Sequence, residues 1–419
     1  MSAPADRPWA GRRIHFVGVG GAGMSGYARV AVQLGATVSG SDRAPSPALD
    51  GLRALGVEVH VGHARENVPD GADVVFSSAV PADNPERVPG AVPRAELLHE
   101  LSGLKRTIAI AGAHGKTTTT SMAAHVLLGC GLGPGYLIGG ALRSTGQHAD
   151  WGTGEWLVVE ADESDRSMLR LQVELAAVLN VELDHHATYG SLAELEAVYA
   201  AFAAGAQRVV LSPGVALDGE VVAPADVELV PGGSRFTWRG VPVALEVPGA
   251  HNAANAALAL EAAAHAGADP EAAAAALASF TGAGRRFERV GRHRSGALVV
   301  DDYAHHPTEV AATIAAARTL EAGRVLAVFQ PHLFSRTQEL HREFAAALAT
   351  ADLAVVLDVY PARERAEDFP GVDGRLLGGT FAPDFAAARE VLERELREDD
   401  VLLVMGAGDV TRFARELAT

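Results

Sequence analysis

The stretch TIAIAGAHGKTTTT, residues 107–120, decides how the rest of the chain reads. TIAIAG predicts a strand, Gly112 and Gly115 a tight turn, and Lys116 with the Thr run behind it the start of a helix. A strand that delivers a Gly-rich turn to a helix N-terminus aims free backbone N–H groups at one spot, where the helix dipole favours negative charge.

The spacing is short. Two residues, Ala113 and His114, separate Gly112 from Gly115, whereas the standard phosphate-binding loop has a longer spacer. The physics survives the shortening: N–H groups still face a phosphate chain, Lys116 supplies a point charge for the β- and γ-phosphates, and the Thr117 hydroxyl can reach Mg²⁺. A Thr-rich helix cap is the bland alternative. Composition argues against it, because the chain has 33 Arg and only two Lys, Lys105 and Lys116. One of the two stands where the loop needs it; Lys105, just before the strand, reads as a surface residue.

Upstream, the βα alternation continues. RIHFVGVG, ATVSGSD and DVVFSSAV read as strands, with helices from about Ser25 to Leu34 and over LDGLRALG, a pattern that implies a mainly parallel sheet. The first turn, GVGGAGMSG (18–26), sets Gly18, Gly20 and Gly23 as G-x-G-x-x-G, and Asp42 ends the next strand. Glycines let backbone approach a diphosphate, so this turn is specific for a diphosphate and only weakly for NAD.

Downstream, WLVVEADESD (156–165) ends an apolar strand in carboxylates. Such a run is usually a solvated turn. Glu160 differs, since it follows Val159 directly at the carboxyl end of the strand, where α/β ligand sites lie. It is the acidic partner that the loop requires for Mg²⁺. NVELDHHATYGS (180–191) ends the next strand at Asp184-His185-His186, so that one His is a candidate metal ligand. Further on come PGAHNAANA with Asn252 and Asn255, GAGRRF with Arg285 and Arg286, DDYAHHPTE with Asp302, His305 and His306, and FQPHLFSRT with His332 and Arg336. Singly these could be helix caps or solvated turns. Paired Arg near a phosphate loop suits a developing phosphate charge. Four further strands are predicted at GALVVDDYA, RVLAVFQP, LAVVLDVYP and DVLLVMGAG.

Bulk properties narrow the classes. The chain has 419 residues, 48% hydrophobic, which predicts two or three domains. A net charge of −17 excludes general nucleic-acid binding. One cysteine, Cys130, allows no internal disulfide or cysteine-rich metal site and reads as a small buried residue. No apolar run reaches the length of a membrane span, and MSAPADRPWAGRR lacks a signal-peptide core. A cytoplasmic protein is expected.

Taken together and in order, the diphosphate turn, the short loop, EADESD, the D-H pair, H-N-x-x-N-A, R-R-F and D-D-Y-A-H-H-P resemble the Mur ligase superfamily along essentially the whole chain. VGGAGMSG, AHGKTTT, EADESD, DDYAHHPTE and FQPH are similar to its branch that adds L-alanine to UDP-N-acetylmuramate. The resemblance implies an α/β protein of three domains. These are a Rossmann-like domain for the UDP sugar (1–103), a central P-loop ATPase-like domain (104–287) and a C-terminal Rossmann-like domain (288–419).

It implies also that the first turn holds UDP through Gly20, Gly21, Gly23, Met24 and Ser25, with Asp42 and Ser78 around the uridine. ATP would lie against Gly112, His114, Gly115, Lys116, Thr117, Thr118, Asn252, Asn255, Arg286 and Asp302. Thr117, Glu160 and His185 would hold Mg²⁺; Lys116, Glu160, His185 and Arg286 would be catalytic; His305, His306 and Arg336 would lie near L-alanine. The implied partners are UDP-N-acetylmuramate, L-alanine and ATP, with no nucleic acid or membrane, in a monomer or homodimer.

Several positions depart from the family pattern: Ala113, Arg166, Ala187, Leu333 and Arg363 stand where Thr or Asn, Gly, Asp, Arg and Gly are usual. Some relatives also place a carbamylated Lys after the D-H pair; here no Lys follows His185. The rival readings are a sister ligase that attaches a tripeptide to the same sugar, an NAD-linked oxidoreductase, and a nucleotide switch without synthetic activity. The oxidoreductase leaves AHGKTT and EADESD unexplained, and the switch would hydrolyse ATP slowly without stimulation by an amino acid and a UDP sugar.

Overall fold

A computed structural model of the chain describes residues 7–77, 79–184, 188–320 and 323–418. Ser78 and His185 therefore lie outside the described residues, as do His186 and Ala187. Two compact units divide the chain, Met1–Ala223 with Leu258–Ala276 and Pro224–Ala257 with Leu277–Thr419.

The first unit holds two sheets. One contains β1 (Arg13–Val17), β2 (Thr37–Asp42), β3 (Glu58–Val61), β4 (Asp73–Phe76) and β5 (Val92–Pro93), all parallel in the order β3-β2-β1-β4-β5. Helices α1 (Ala22–Gln33), α2 (Pro47–Ala54) and α3 (Arg94–Leu104) connect and follow these strands. α1 begins at Ala22, three residues before the predicted Ser25, because the helix starts inside the Gly turn itself.

The second sheet contains β6 (Arg106–Ala111), β7 (Gly135–Leu142), β8 (Gln147–Asp150), β9 (Trp156–Glu160), β10 (Leu175–Val178), β11 (Arg208–Leu211) and β12 (Glu220–Val221). Its order is β12-β11-β10-β6-β9-β7-β8, parallel except for β8. β6 lies between β10 and β9. Ile108 to Ala111 are completely buried, so the continuous apolar run reflects a strand covered on both faces. Its register sets Ile110 opposite Glu160 and Ala111 opposite Val178. The phosphate turn, the acidic loop and the 180s turn thus emerge together at the carboxyl edge.

Helices α4 (Lys116–Gly129) and α5 (Leu192–Ala204) pack in this unit. β-Branched Thr is a modest helix former; Thr117 to Thr120 stay helical because all four are buried in the tertiary packing.

The second unit begins with β13 (Ala225–Val230), β14 (Gly233–Trp238) and β15 (Val241–Leu245), an antiparallel sheet that the α/β reading does not anticipate. α6 (Ala250–His265) starts in this unit and ends in the first, to which all of α7 (Pro270–Leu277) but its last residue belongs; α7 starts behind Asp269, whose carboxylate accepts from Ala272 N at 3.0 Å. The last sheet has β16 (Glu288–Arg292), β17 (Leu298–Asp302), β18 (Val325–Phe329), β19 (Leu353–Val356), β20 (Thr380–Phe381) and β21 (Val401–Met405). The order is β16-β17-β21-β18-β19-β20, parallel apart from β16. α8 (Pro307–Arg318) and α9 (Phe334–Glu339) follow β17 and β18.

Candidate active site

At the first turn, Gly20 N donates to Asp42 Oδ2 at 2.8 Å, so the acid ending β2 is tied to the Gly turn. Ser25 Oγ donates to Gly21 O at 3.0 Å and meets His148 Nε2 of β8 at the same distance. The helix that starts at the Gly turn is therefore fastened to the second sheet. Met24 is buried and holds the first turn of α1 in the core.

Beneath this edge lies a buried carboxylate that sequence reasoning overlooked. Glu86 accepts from Ser41 Oγ, from Ala64 N at 3.0 Å and from Asn67 Nδ2 at 2.7 Å, and has His63 Nδ1 at 3.2 Å and His15 Nε2 at 3.5 Å. Burial raises a carboxyl's affinity for its proton; here the His15, Ser41, Asn67 and Ala64 donors outweigh that and press Glu86 down to about 2.

The phosphate loop is organised around Lys116. Its Nζ donates to Gly112 O at 2.6 Å and to both carboxylate oxygens of Glu163, at 2.9 and 2.8 Å. Burial alone would lower the ammonium; Glu163 and Asp162 overcome it and hold the Lys116 pKa raised. Asn180 pins the turn from the neighbouring strand end, accepting from His114 N at 2.9 Å and donating to His114 O at 3.0 Å. His114 Nε2 lies 3.1 Å from Glu182.

Thr117 Oγ1 donates to Glu160 Oε2 at 3.2 Å, and Gly139 N of β7 donates to Glu160 Oε1 at 2.6 Å. A Cβ at Gly139 would stand 3.2 Å from both Glu160 Oε1 and Thr117 Oγ1, so glycine keeps the floor of this pair open. Hydroxyl and carboxylate oxygens converging beside a phosphate loop are hard ligands of the kind Mg²⁺ takes, and these residues fit that ion. Thr118 is buried in the first turn of α4.

The second unit gathers the other candidates around the R-R-F turn. Arg285 and Phe287 both have positive φ, 57° and 47°, a left-handed conformation costly for non-glycine residues. The turn thereby directs two guanidinium groups, Arg285 and Arg286, onto the Tyr303 ring at 4.7 Å each. Asp302 anchors the turn, accepting from Phe287 N at 2.7 Å and Ala304 N at 2.8 Å. Burial pushes the Asp302 carboxyl up to about 6, against the opposing influence of Arg286 and those amides.

His305 lies 3.1 Å from Tyr303 O and from Glu309. His306 is the N-cap of α8, accepting at Nδ1 from Thr308 N while Glu309 reaches back, a capping box. His332 stacks on Tyr360 with ring centroids 5.7 Å apart, and burial with nearby positive charge pushes it down to about 3, which keeps it neutral. Arg336 is buried, its Nη1 3.5 Å from His332 O. Leu333, at the departure from the family pattern, is buried at φ 72°. Asn252 and Asn255 are buried and mutually bonded at 3.2 Å, with Asn252 also donating to Pro248 O.

Lys105 is not the surface residue expected. Its ammonium donates to Trp151 O and Gly154 O at 2.6 Å each and lies over the Trp151 ring. Its partners lie more than 40 residues away, so sequence spacing gave no signal.

Comparison with known proteins adds to this geometry. Residues 13–109 match the Mur ligase family, catalytic domain, and residues 285–408 the Mur ligase, glutamate ligase domain. The UDP-N-acetylmuramate–L-alanine ligase of Acidithiobacillus ferrooxidans is 43% identical over 98% of each chain, and that of Streptomyces coelicolor 44% identical over 96% of each. The crystal structure of UDP-N-acetylmuramate–alanine ligase from Thermotoga maritima matches with TM-score 0.82 at 28% identity, covering 97% of this chain and 98% of that one. A murein peptide ligase from Psychrobacter arcticus shares the fold, with TM-score 0.73 at 22% identity over 97% and 98%.

Proposed function

The chain belongs to the Mur ligase family, among its UDP-N-acetylmuramate–L-alanine ligases, and on that premise we propose how its own residues carry the reaction. The enzyme is an ATP-dependent ligase of peptidoglycan precursor synthesis that joins L-alanine to UDP-N-acetylmuramate. The observation that supports the site assignment best is the convergence of Lys116, Thr117 and Glu160 at the carboxyl ends of β6 and β9.

The sugar's lactyl carboxylate attacks the γ-phosphorus of ATP. The bond from that phosphorus to the β,γ-bridging oxygen breaks, and ADP leaves with the electron pair. The acyl phosphate is then attacked by the L-alanine amine. The amine nitrogen gives up a proton to solvent, and inorganic phosphate leaves with the C–O electrons. A carboxylate meeting a triphosphate is a meeting of anions, so cationic groups carry much of the catalysis.

Lys116 places its ammonium at the phosphate turn, and Arg286 adds a guanidinium for the charge that develops in transfer. Thr117 and Glu160 would hold Mg²⁺, with His185 as a further ligand; the ion would supply charge neutralisation at the phosphate oxygens. Gly20, Gly21, Gly23, Met24 and Ser25 receive the UDP diphosphate, with Asp42 and Ser78 at the uridine. Gly112, His114, Gly115, Thr118, Asn252, Asn255 and Asp302 bind ATP, and His305, His306 and Arg336 serve L-alanine. The domains are 1–103, 104–287 and 288–419. No helix among the described residues is long and apolar enough to cross a membrane.

The test is ADP release with UDP-N-acetylmuramate and each amino acid in turn, alongside labelled L-alanine and tripeptide. L-alanine should be incorporated with stoichiometric ADP release. Incorporation of the tripeptide alone overturns the reading in favour of the sister ligase.

A further inference from the structure

The glycine turn, residues 18–26, contains no Lys or Arg. A diphosphate placed there meets backbone N–H groups and the positive end of α1 but no full positive charge from the turn itself. The first residue of α3 brings one. Arg94 Nη1 lies 2.9 Å from the place a Cβ on Gly23 would occupy. Glycine at 23 is what lets the guanidinium lie against the first turn of α1, beside the amides that face the ligand.

Its other nitrogen, Nη2, is held by the acidic loop, 3.3 Å from Asp162 and 3.9 Å from Asp165. The side chain is 27% exposed. It is thus largely enclosed, with one nitrogen committed to the acids and the other turned to the glycine turn.

We propose that Arg94 is a diphosphate-binding residue: its Nη1 donates to an anionic oxygen of the UDP diphosphate, while Nη2 stays with Asp162. The inference rests on the reading of the first turn as the UDP site. A guanidinium is suited to this task, since its two nitrogens can serve different anions at fixed geometry. The arrangement also joins the sugar-nucleotide site to the loop that starts at Glu160, through one side chain.

The experiment measures binding of UDP and of uridine to the full chain by calorimetry, for wild type, Arg94→Ala and Arg94→Lys. Loss of a charge-assisted contact should weaken UDP binding roughly ten- to hundred-fold, leave uridine binding unchanged, and be partly restored by Lys. Equal weakening of UDP and uridine would mean a structural role and overturn the proposal, as would unchanged UDP binding in both variants. If Arg94→Ala does not fold, Arg94→Lys against wild type still decides: unaltered UDP and uridine binding, with KM for UDP-N-acetylmuramate raised, would put the contact on the sugar end and overturn it. Absence of UDP binding by the wild type would instead remove the site reading on which the proposal stands.

Discussion

Lys116 and Glu163 form an ion pair that is almost wholly enclosed, with Nζ 2.9 and 2.8 Å from the two carboxylate oxygens and side chains only 17% and 2% exposed. The pair explains how a lysine can be kept charged in a buried loop. Glu163 meets the desolvation cost of the ammonium and fixes it at the mouth of the turn, where phosphate is expected.

Breaking the pair should therefore be costly to fold as well as to function. Glu163→Ala leaves an uncompensated charge and should lower stability by about 3 kcal/mol, measured by urea unfolding. Lys116→Met in the same background should recover part of that loss. By itself Lys116→Met should abolish phosphate transfer while UDP-sugar binding, measured directly, remains nearly intact. Near-normal turnover of that variant would end the assignment of the loop.

Glu160 accepts from Thr117 Oγ1 and from Gly139 N. Glu160→Gln keeps the shape and removes the charge a divalent ion needs. Its thermal stability should match the wild type, while the Mg²⁺ concentration for half-maximal ADP release rises at least roughly tenfold, the equivalent of about 1.4 kcal/mol. An unchanged Mg²⁺ requirement would place the ion elsewhere.

Asp302 gives a pH signature. Its folded pKa of about 6 lies above the ordinary 3.8. The protonated form is thus favoured in the fold, and the associated stability is fully present below 3.8 and lost as pH rises through 6. The difference amounts to about 3 kcal/mol. Wild type minus Asp302→Asn stability should fall by that order between pH 3.5 and pH 7.5 in unfolding experiments. A pH-independent difference would show that Asp302 ionises freely. The same variant should raise KM for ATP.

The parts of the candidate site that could be read from the sequence are those that are local in the chain. Glu160 was legible because it ends an apolar strand, and Lys116 because the chain has only one other lysine. What escaped depends on distant partners. Arg94 meets Asp162 across 68 residues, and Lys105 reaches carbonyls of the 151–154 loop. Glu163 looked like one member of a solvated acidic run until the fold set it on Lys116. The antiparallel strands β8 and β13 to β15 were hidden for another reason: QHAD is short and polar, and the apolar alternation of ADVELV marks no core face, because that strand is almost entirely exposed. His306, read from its motif as a substrate residue, also caps α8, a role visible in the His-Pro-Thr-Glu order once the helix start is known.

Glu86 offers the last test, and its sign is opposite to that of Asp302. The side chain is fully enclosed, and its pKa of about 2 lies below the ordinary 4.5. The ionised form is favoured in the fold. Its stabilisation is present above 4.5 and lost as pH falls through 2, a contribution of about 3 kcal/mol. Glu86→Gln removes the charge but keeps the size, so it should be less stable than wild type by that order at pH 7, with the gap closing as pH falls from 4.5 toward 2. Because Glu86 binds Ser41, Ala64 and Asn67, it also fixes the ends of β2 and β3 next to Asp42. The variant should therefore weaken uridine binding, which reports on that edge, while ATP binding is unaffected. A stability gap that stays constant with pH would show that the network, and not the carboxylate charge, holds this corner of the sheet together.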